Sequence, residues 1–114
     1  MPVLNMYGPF ELTDKEIDRT ITKISPGNYV FGFNKKNKFY VYYIGRSDKN
    51  LKDSLKKQIG EHKMFKFCYT ESPKEAFEKE CIDFHEFGGI KRLYNTNHPV
   101  KPNGTDFKCP VCKN

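Results

Sequence analysis

Tryptophan is absent from this 114-residue chain, so any aromatic core must come from its ten Phe and seven Tyr. No run of about 18 apolar residues occurs, which excludes a membrane-spanning helix. Residues 1–10 show no basic stretch leading into an apolar one, so no signal peptide is expected and the chain should work in the cytoplasm. There is no internal repeat and no low-complexity linker, and the length suits one domain, residues 1–114, with a modest core. Cysteine is sparse, at four. In a reducing compartment these thiols point to metal binding or packing rather than disulfides.

Basic charge is present in excess: twenty Lys+Arg against fourteen Asp+Glu, for a net +6. The excess is almost all lysine and gathers mid-chain, at Lys35, Lys36, Lys38, Lys49, Lys52, Lys56, Lys57, Lys63 and Lys66. Such a surface attracts polyanions by releasing their counterions. The same composition equally describes a solvated lysine-rich surface.

Thr13 with Glu16 three residues on has capping-box spacing, and Ile17, Ile21 and Ile24 recur at helical period. A helix is therefore predicted to run up to Ser25-Pro26-Gly27, where proline cannot continue it. Residues 28–33 and 39–45 read as strands. Tyr29, Phe31 and Phe33 share one face of the first, and Phe39, Val41 and Tyr43 one face of the second, joined by a hairpin loop of about five residues at 34–38. Leu51, Leu55 and Ile59 mark a second amphipathic helix, with Asp48 near its start and Gly60 at its end; it carries Lys52, Lys56 and Lys57 beside the hairpin, where they could line a nucleic-acid backbone groove. Residues 65–69 read as a third strand. Ser72-Pro73-Lys74-Glu75 opens a third helix that should reach about Phe87 before Gly88-Gly89. The tail beyond is rich in Asn, Pro, Gly and Lys and should have little regular structure.

The first strand begins Gly27-Asn28-Tyr29 and the second contains Tyr43-Ile44-Gly45, with thirteen residues between the tyrosines. This pattern resembles the GIY-YIG nuclease family, whose hairpin carries two such triplets, followed by a helix with an arginine, a strand and a helix with a glutamate. The resemblance covers about residues 25–88. It implies an α/β fold with a small three-stranded antiparallel sheet flanked by helices. It also implies metal-assisted hydrolysis of nucleic-acid phosphodiester bonds, with DNA as the expected partner. Glu80 falls at the place of the metal-binding glutamate and would hold Mg²⁺ or Mn²⁺. Tyr29 or Tyr43 would place and help deprotonate the attacking water, which requires the metal and nearby lysines to lower its phenol from the ordinary value near 10.

The chain departs from the family pattern in two respects, at the arginine of the helix after the second triplet and at the histidine that commonly follows it. Where the family commonly has Leu-x-x-Arg-Leu, this sequence reads Leu51-Lys52-Asp53-Ser54-Leu55, so Ser54 stands at the arginine's position and Gln58 follows. Losing such a phosphate-stabilising group typically costs about 10²–10³ in rate. Arg46, directly after the second triplet, is the candidate substitute; Lys52 or Lys56 could also reach in, though a lysine lacks the bidentate fork. The expectation is an endonuclease weakened at this position, or alternatively a binding module of the same fold that no longer cuts.

Cys109-Pro110-Val111-Cys112 supplies half of a tetrahedral zinc site. Cys81 and His85, four apart on the third helix, share a face and complete the expected set Cys81, His85, Cys109, Cys112, with His98 as the rival of His85. Such a closed zinc would be structural and would tether the tail, about residues 89–114. Cys68 reads as a small strand residue packed against its neighbours.

Overall fold

In a computed structural model, which describes residues 5–113, the elements follow the order strand, helix, two strands, helix, strand, helix. They are β1 (Tyr7–Glu11), α1 (Asp14–Thr20), β2 (Gly27–Lys35), β3 (Lys38–Ser47), α2 (Leu51–Lys56), β4 (Met64–Tyr69) and α3 (Pro73–Glu86). The strands form one antiparallel sheet in the order β1-β4-β2-β3. The sheet therefore has four strands rather than the expected three. The added edge strand, β1, is short and contains Gly8 and Pro9, with its register shifted between Tyr7 and Phe10. Proline is tolerated there because an edge strand can spare a ladder donor, and those two residues also hide the strand from a pattern search.

The two faces of the sheet carry different cores. Tyr29, Phe31, Phe65 and Phe67 pack against Leu12, Ile17, Ile21, Leu51 and Leu55, so α1 and α2 cover one face. Val30 and Ile44 pack with Phe84 and Leu93, placing α3 on the other. Asn28, wholly buried, donates from Nδ2 to the Ala76 carbonyl at 2.9 Å and ties β2 to the start of α3.

The hairpin is tighter than expected and irregular. Its turn is only Lys36-Asn37, both at positive φ (51° and 66°), the backbone that two-residue hairpin turns use. A bulge between Phe31 and Gly32 makes Tyr42 the extra residue of β3. Side-chain parity flips there. Tyr43 stays with Phe31 on the α1/α2 face, while Phe39 and Val41 join the α3 face, so the expected common face of Phe39, Val41 and Tyr43 does not form.

The helix caps match the sequence closely and the lengths less so. Thr13 accepts from the Glu16 N–H at 3.2 Å and Ser72 from the Glu75 N–H at 3.1 Å. Glu16 turns its carboxylate to Arg19 instead of closing the capping box. α1 ends at Thr20, before Ile24, which is 83% exposed. α2 is capped by Asn50 and ends at Lys56, leaving Ile59 in a turn. Beyond α3 the tail has one 3-10 turn, Gly89–Lys91, and otherwise no regular structure. Among the described residues no helix is long and apolar enough to cross a membrane.

Candidate functional site

The hairpin triplets bring Tyr29 and Tyr43 to the α1/α2 face with Phe31 between them, at ring-centroid distances of 5.1 Å (Tyr29–Phe31) and 5.8 Å (Phe31–Tyr43). Tyr29 pairs across the hairpin with Gly45, where a Cβ would fall 2.4 Å from the Tyr29 ring. The missing side chain is what lets the phenol lie over β3. Gly27 answers a similar demand, since a Cβ there would sit 2.4 Å from the Cys68 carbonyl oxygen.

Arg46 reaches α3 from the end of β3. Its Nη1 donates to Glu80 Oε1 at 2.5 Å, Nε to Asp48 Oδ1 at 2.8 Å, and Nη2 to the Val100 carbonyl at 2.6 Å. The guanidinium lies 5.2 Å from the centre of the Phe77 ring. Glu80 is buried, and burial raises its carboxyl above the usual range even though Arg46 favours the charged form. Burial also works against the Arg46 charge, but its bonds to Asp48 and Glu80 outweigh that and hold the guanidinium protonated.

These groups share one electrostatic neighbourhood. Burial raises the Tyr29 phenol far above its usual value, with Tyr43 and Glu80 adding to the rise and Arg46 opposing it. Tyr43 is raised by burial and then by Glu80. The protein alone thus keeps both phenols neutral, opposite to what deprotonating a water would require. Glu80 and Asp48 offer hard carboxylate oxygens, the donor type that Mg²⁺ or Mn²⁺ takes. Arg46 already stands between the two carboxylates as their counter-charge.

The lysines of α2 are differently engaged. Lys56 Nζ lies 2.8 Å from Asp18 and 3.6 Å from Asp14, and Lys52 Nζ lies 3.4 Å from Asp18, so both knit α2 to α1. Lys57, at the end of the helix, is exposed. Ser54 is half-buried on α2, its N–H donating to the Asn50 carbonyl.

A second cluster forms where the tail meets α3. One ligand atom from each of His85, His98, Cys109 and Cys112 lies within 4.8 Å of all the others, and the set can hold a metal ion. His98 Nε2 is 3.1 Å from His85 Nε2 and 3.3 Å from Cys112 Sγ. Bonds of about 2.0–2.3 Å to a tetrahedral ion put ligand atoms roughly 3.3–3.8 Å apart, so the group is close to that size. His98 Nδ1 pairs with the Pro99 carbonyl at 2.8 Å, which directs Nε2 to the cluster. Burial opposes ionisation of Cys109, but the Cys112 and Val111 N–H groups and His98 outweigh it and bring the thiol down to about 6.

This set corrects the expected one. His98 lies in the group where Cys81 was expected, and His85 and His98 both lie in it rather than one replacing the other. Cys81 does share a helical face with His85, but one turn earlier it is sunk against Phe77 and Cys109. Burial, then its hydrogen bond to Cys109, raise its thiol above the ordinary value. Cys68, half-buried on β4, is likewise a protonated packing residue.

Asp48, Val100 and His62 are neighbours of the site that sequence reasoning did not place there. Asp48 lies two residues from Arg46, the spacing that puts both on one side of an extended chain, and that signal was available. Val100 contributes only a carbonyl, which no pattern announces. His62 stacks on Phe31 (4.0 Å, 10° between planes) and shares a 2.7 Å hydrogen bond between Nδ1 and the Tyr42 hydroxyl. Neither family models, curated proteins nor solved structures match this chain.

Proposed function

We propose that the chain is a nucleic-acid endonuclease domain of the GIY-YIG kind, most naturally acting on DNA, with its tail pinned by structural zinc. The observation that supports this most is the convergence of Tyr29, Tyr43, Arg46 and Glu80 from the hairpin and α3. The two neutral phenols donate hydrogen bonds, orienting a water and a phosphate oxygen rather than acting as bases. Arg46, on turning from Glu80 to the phosphate, presents its planar fork to the charge that grows on the phosphoryl oxygens. Glu80 is then left as an open carboxylate. A divalent cation held by Glu80, with most of its waters kept, would supply polarisation of the phosphate and activation of water. At the other cluster, two imidazoles and two thiols with no position left open suit structural zinc, and reduced thiols suit the cytoplasm.

A binding module of the same fold is the second reading. It is favoured by the closed Arg46–Glu80 pair and by Ser54 at the family's arginine position. Two substitutions test the choice. If Arg46 serves as the phosphate clamp, Arg46→Ala abolishes Mg²⁺-dependent cutting and Ser54→Arg adds little. If the clamp is simply missing, Ser54→Arg raises cutting, by up to about 10²–10³. Silence of both wild type and Ser54→Arg, in folded and metal-loaded protein, would overturn the nuclease reading in favour of the binding module.

A further inference from the structure

The outer half of the hairpin carries rings that the core does not use. Phe33 and Tyr40 stack across β2 and β3 at 5.6 Å with 24° between planes. That pair alone would be ordinary cross-strand stabilisation. It continues, however, to Tyr42, 6.3 Å from Phe33, and to Tyr94, 4.8 Å from Tyr42, which arrives from the tail with its N–H on the Tyr42 carbonyl. Phe33, Tyr40 and Tyr94 remain 45%, 44% and 72% exposed.

The ladder runs inward as well as outward. Tyr42 lies 5.5 Å from His62, and His62 5.8 Å from Tyr43, which returns the series to Phe31 and Tyr29. Basic charge gathers at its outer end. Lys35, Lys36 and Lys38 are exposed at the hairpin tip, and no acidic residue occurs in the sequence between Asp18 and Asp48.

Exposed rings in series beside cations are what an unpaired nucleic-acid strand requires, because every base offers a stacking face and every linkage a phosphate. A duplex hides its base faces and cannot use the rings. We infer that Phe33, Tyr40 and Tyr94, backed by Tyr42, form a stacking platform for single-stranded nucleic acid that leads the strand toward Tyr29 and Tyr43. The direction of the track rests on the proposed hydrolytic reading; the platform does not.

Anisotropy titrations of labelled oligothymidylate, oligouridylate and a duplex of matching length test this on the metal-loaded full chain. Single strands should bind more tightly than duplex, the two oligonucleotides telling whether DNA or RNA is the source. Phe33→Leu and Tyr94→Leu should each weaken single-strand binding by about 5- to 150-fold, the range that base–aromatic stacking spans. Tyr40→Phe, which keeps the ring, should bind like wild type. Since the chain has no tryptophan, tyrosine emission should fall on binding as bases cover Tyr40 and Tyr94. Equal affinity of the Leu variants and wild type, equal or tighter binding of duplex, or a wild-type dimer that these substitutions dissociate would overturn the platform. Ring-dependent binding without any cleavage would leave the platform standing and remove the nuclease reading. Cleavage of duplex that is insensitive to the rings would do the reverse.

Discussion

At the scale of single residues, burial decides which groups near the hairpin carry charge. His62 is the clearest case: packed on Phe31 and joined to Tyr42, it is held neutral because burial lowers its imidazole below the ordinary value, only partly opposed by Glu61. The folded chain therefore binds that proton less readily than the unfolded one, whose histidine titrates near 6.5. Stability from His62 is fully present above about pH 6.5 and is lost as pH falls through the lower folded value. Melting temperature of the metal-loaded protein should drop between about pH 7 and 5, and His62→Gln should drop less steeply over that window. Parallel curves for the two proteins would show that His62 does not set this slope. Tyr29 and Tyr43 obey the same physics, which is why their proposed roles are neutral and hydrogen-bonding.

At the scale of elements, the tail matters more to the hairpin than its lack of regular structure suggests. His98 belongs to the His/Cys cluster that can hold a metal, and Val100, two residues on, accepts from Arg46 Nη2. Removing the metal should thus release the tail and loosen Arg46 together. Metal analysis should find about one ion per chain, the count for a closed four-ligand site. A chelator, or Cys109→Ser, should lower the melting temperature and open residues 94–113 to proteolysis. A chelated protein with unchanged melting and digestion would contradict this coupling. The sequence marked these elements unevenly. Ser72 with Glu75, Thr13 with Glu16, and the aromatic strands carry local signals and could be read directly. The bulge at Tyr42, the two-residue turn at Lys36-Asn37 and strand β1 depend on pairing between distant segments, which no local period records. The exchange of Cys81 for His98 has the same origin: helical spacing put Cys81 on the right face, but only the path of residues 94–100 shows which side chain arrives at the cluster.

At the scale of the whole molecule, two clusters of polar residues are anchored on one helix: Glu80 near the middle of α3 meets the hairpin, and His85 near its end meets the tail. α3 is the common support, with Phe77, Cys81 and Phe84 packing it into the fold around those contacts. On the proposed hydrolytic reading, this arrangement would hold Tyr29, Tyr43, Arg46 and Glu80 while the lysine-rich hairpin meets the nucleic acid. The claim that depends on the complete arrangement is hydrolysis itself. Labelled single-stranded, nicked and branched DNA, incubated with metal-loaded protein with and without Mg²⁺, reads it directly against Glu80→Gln. Cleavage that requires Mg²⁺ and disappears in Glu80→Gln is the expected result; equal cleavage by wild type and Glu80→Gln, or none by either wild type or Ser54→Arg on any substrate, would contradict it.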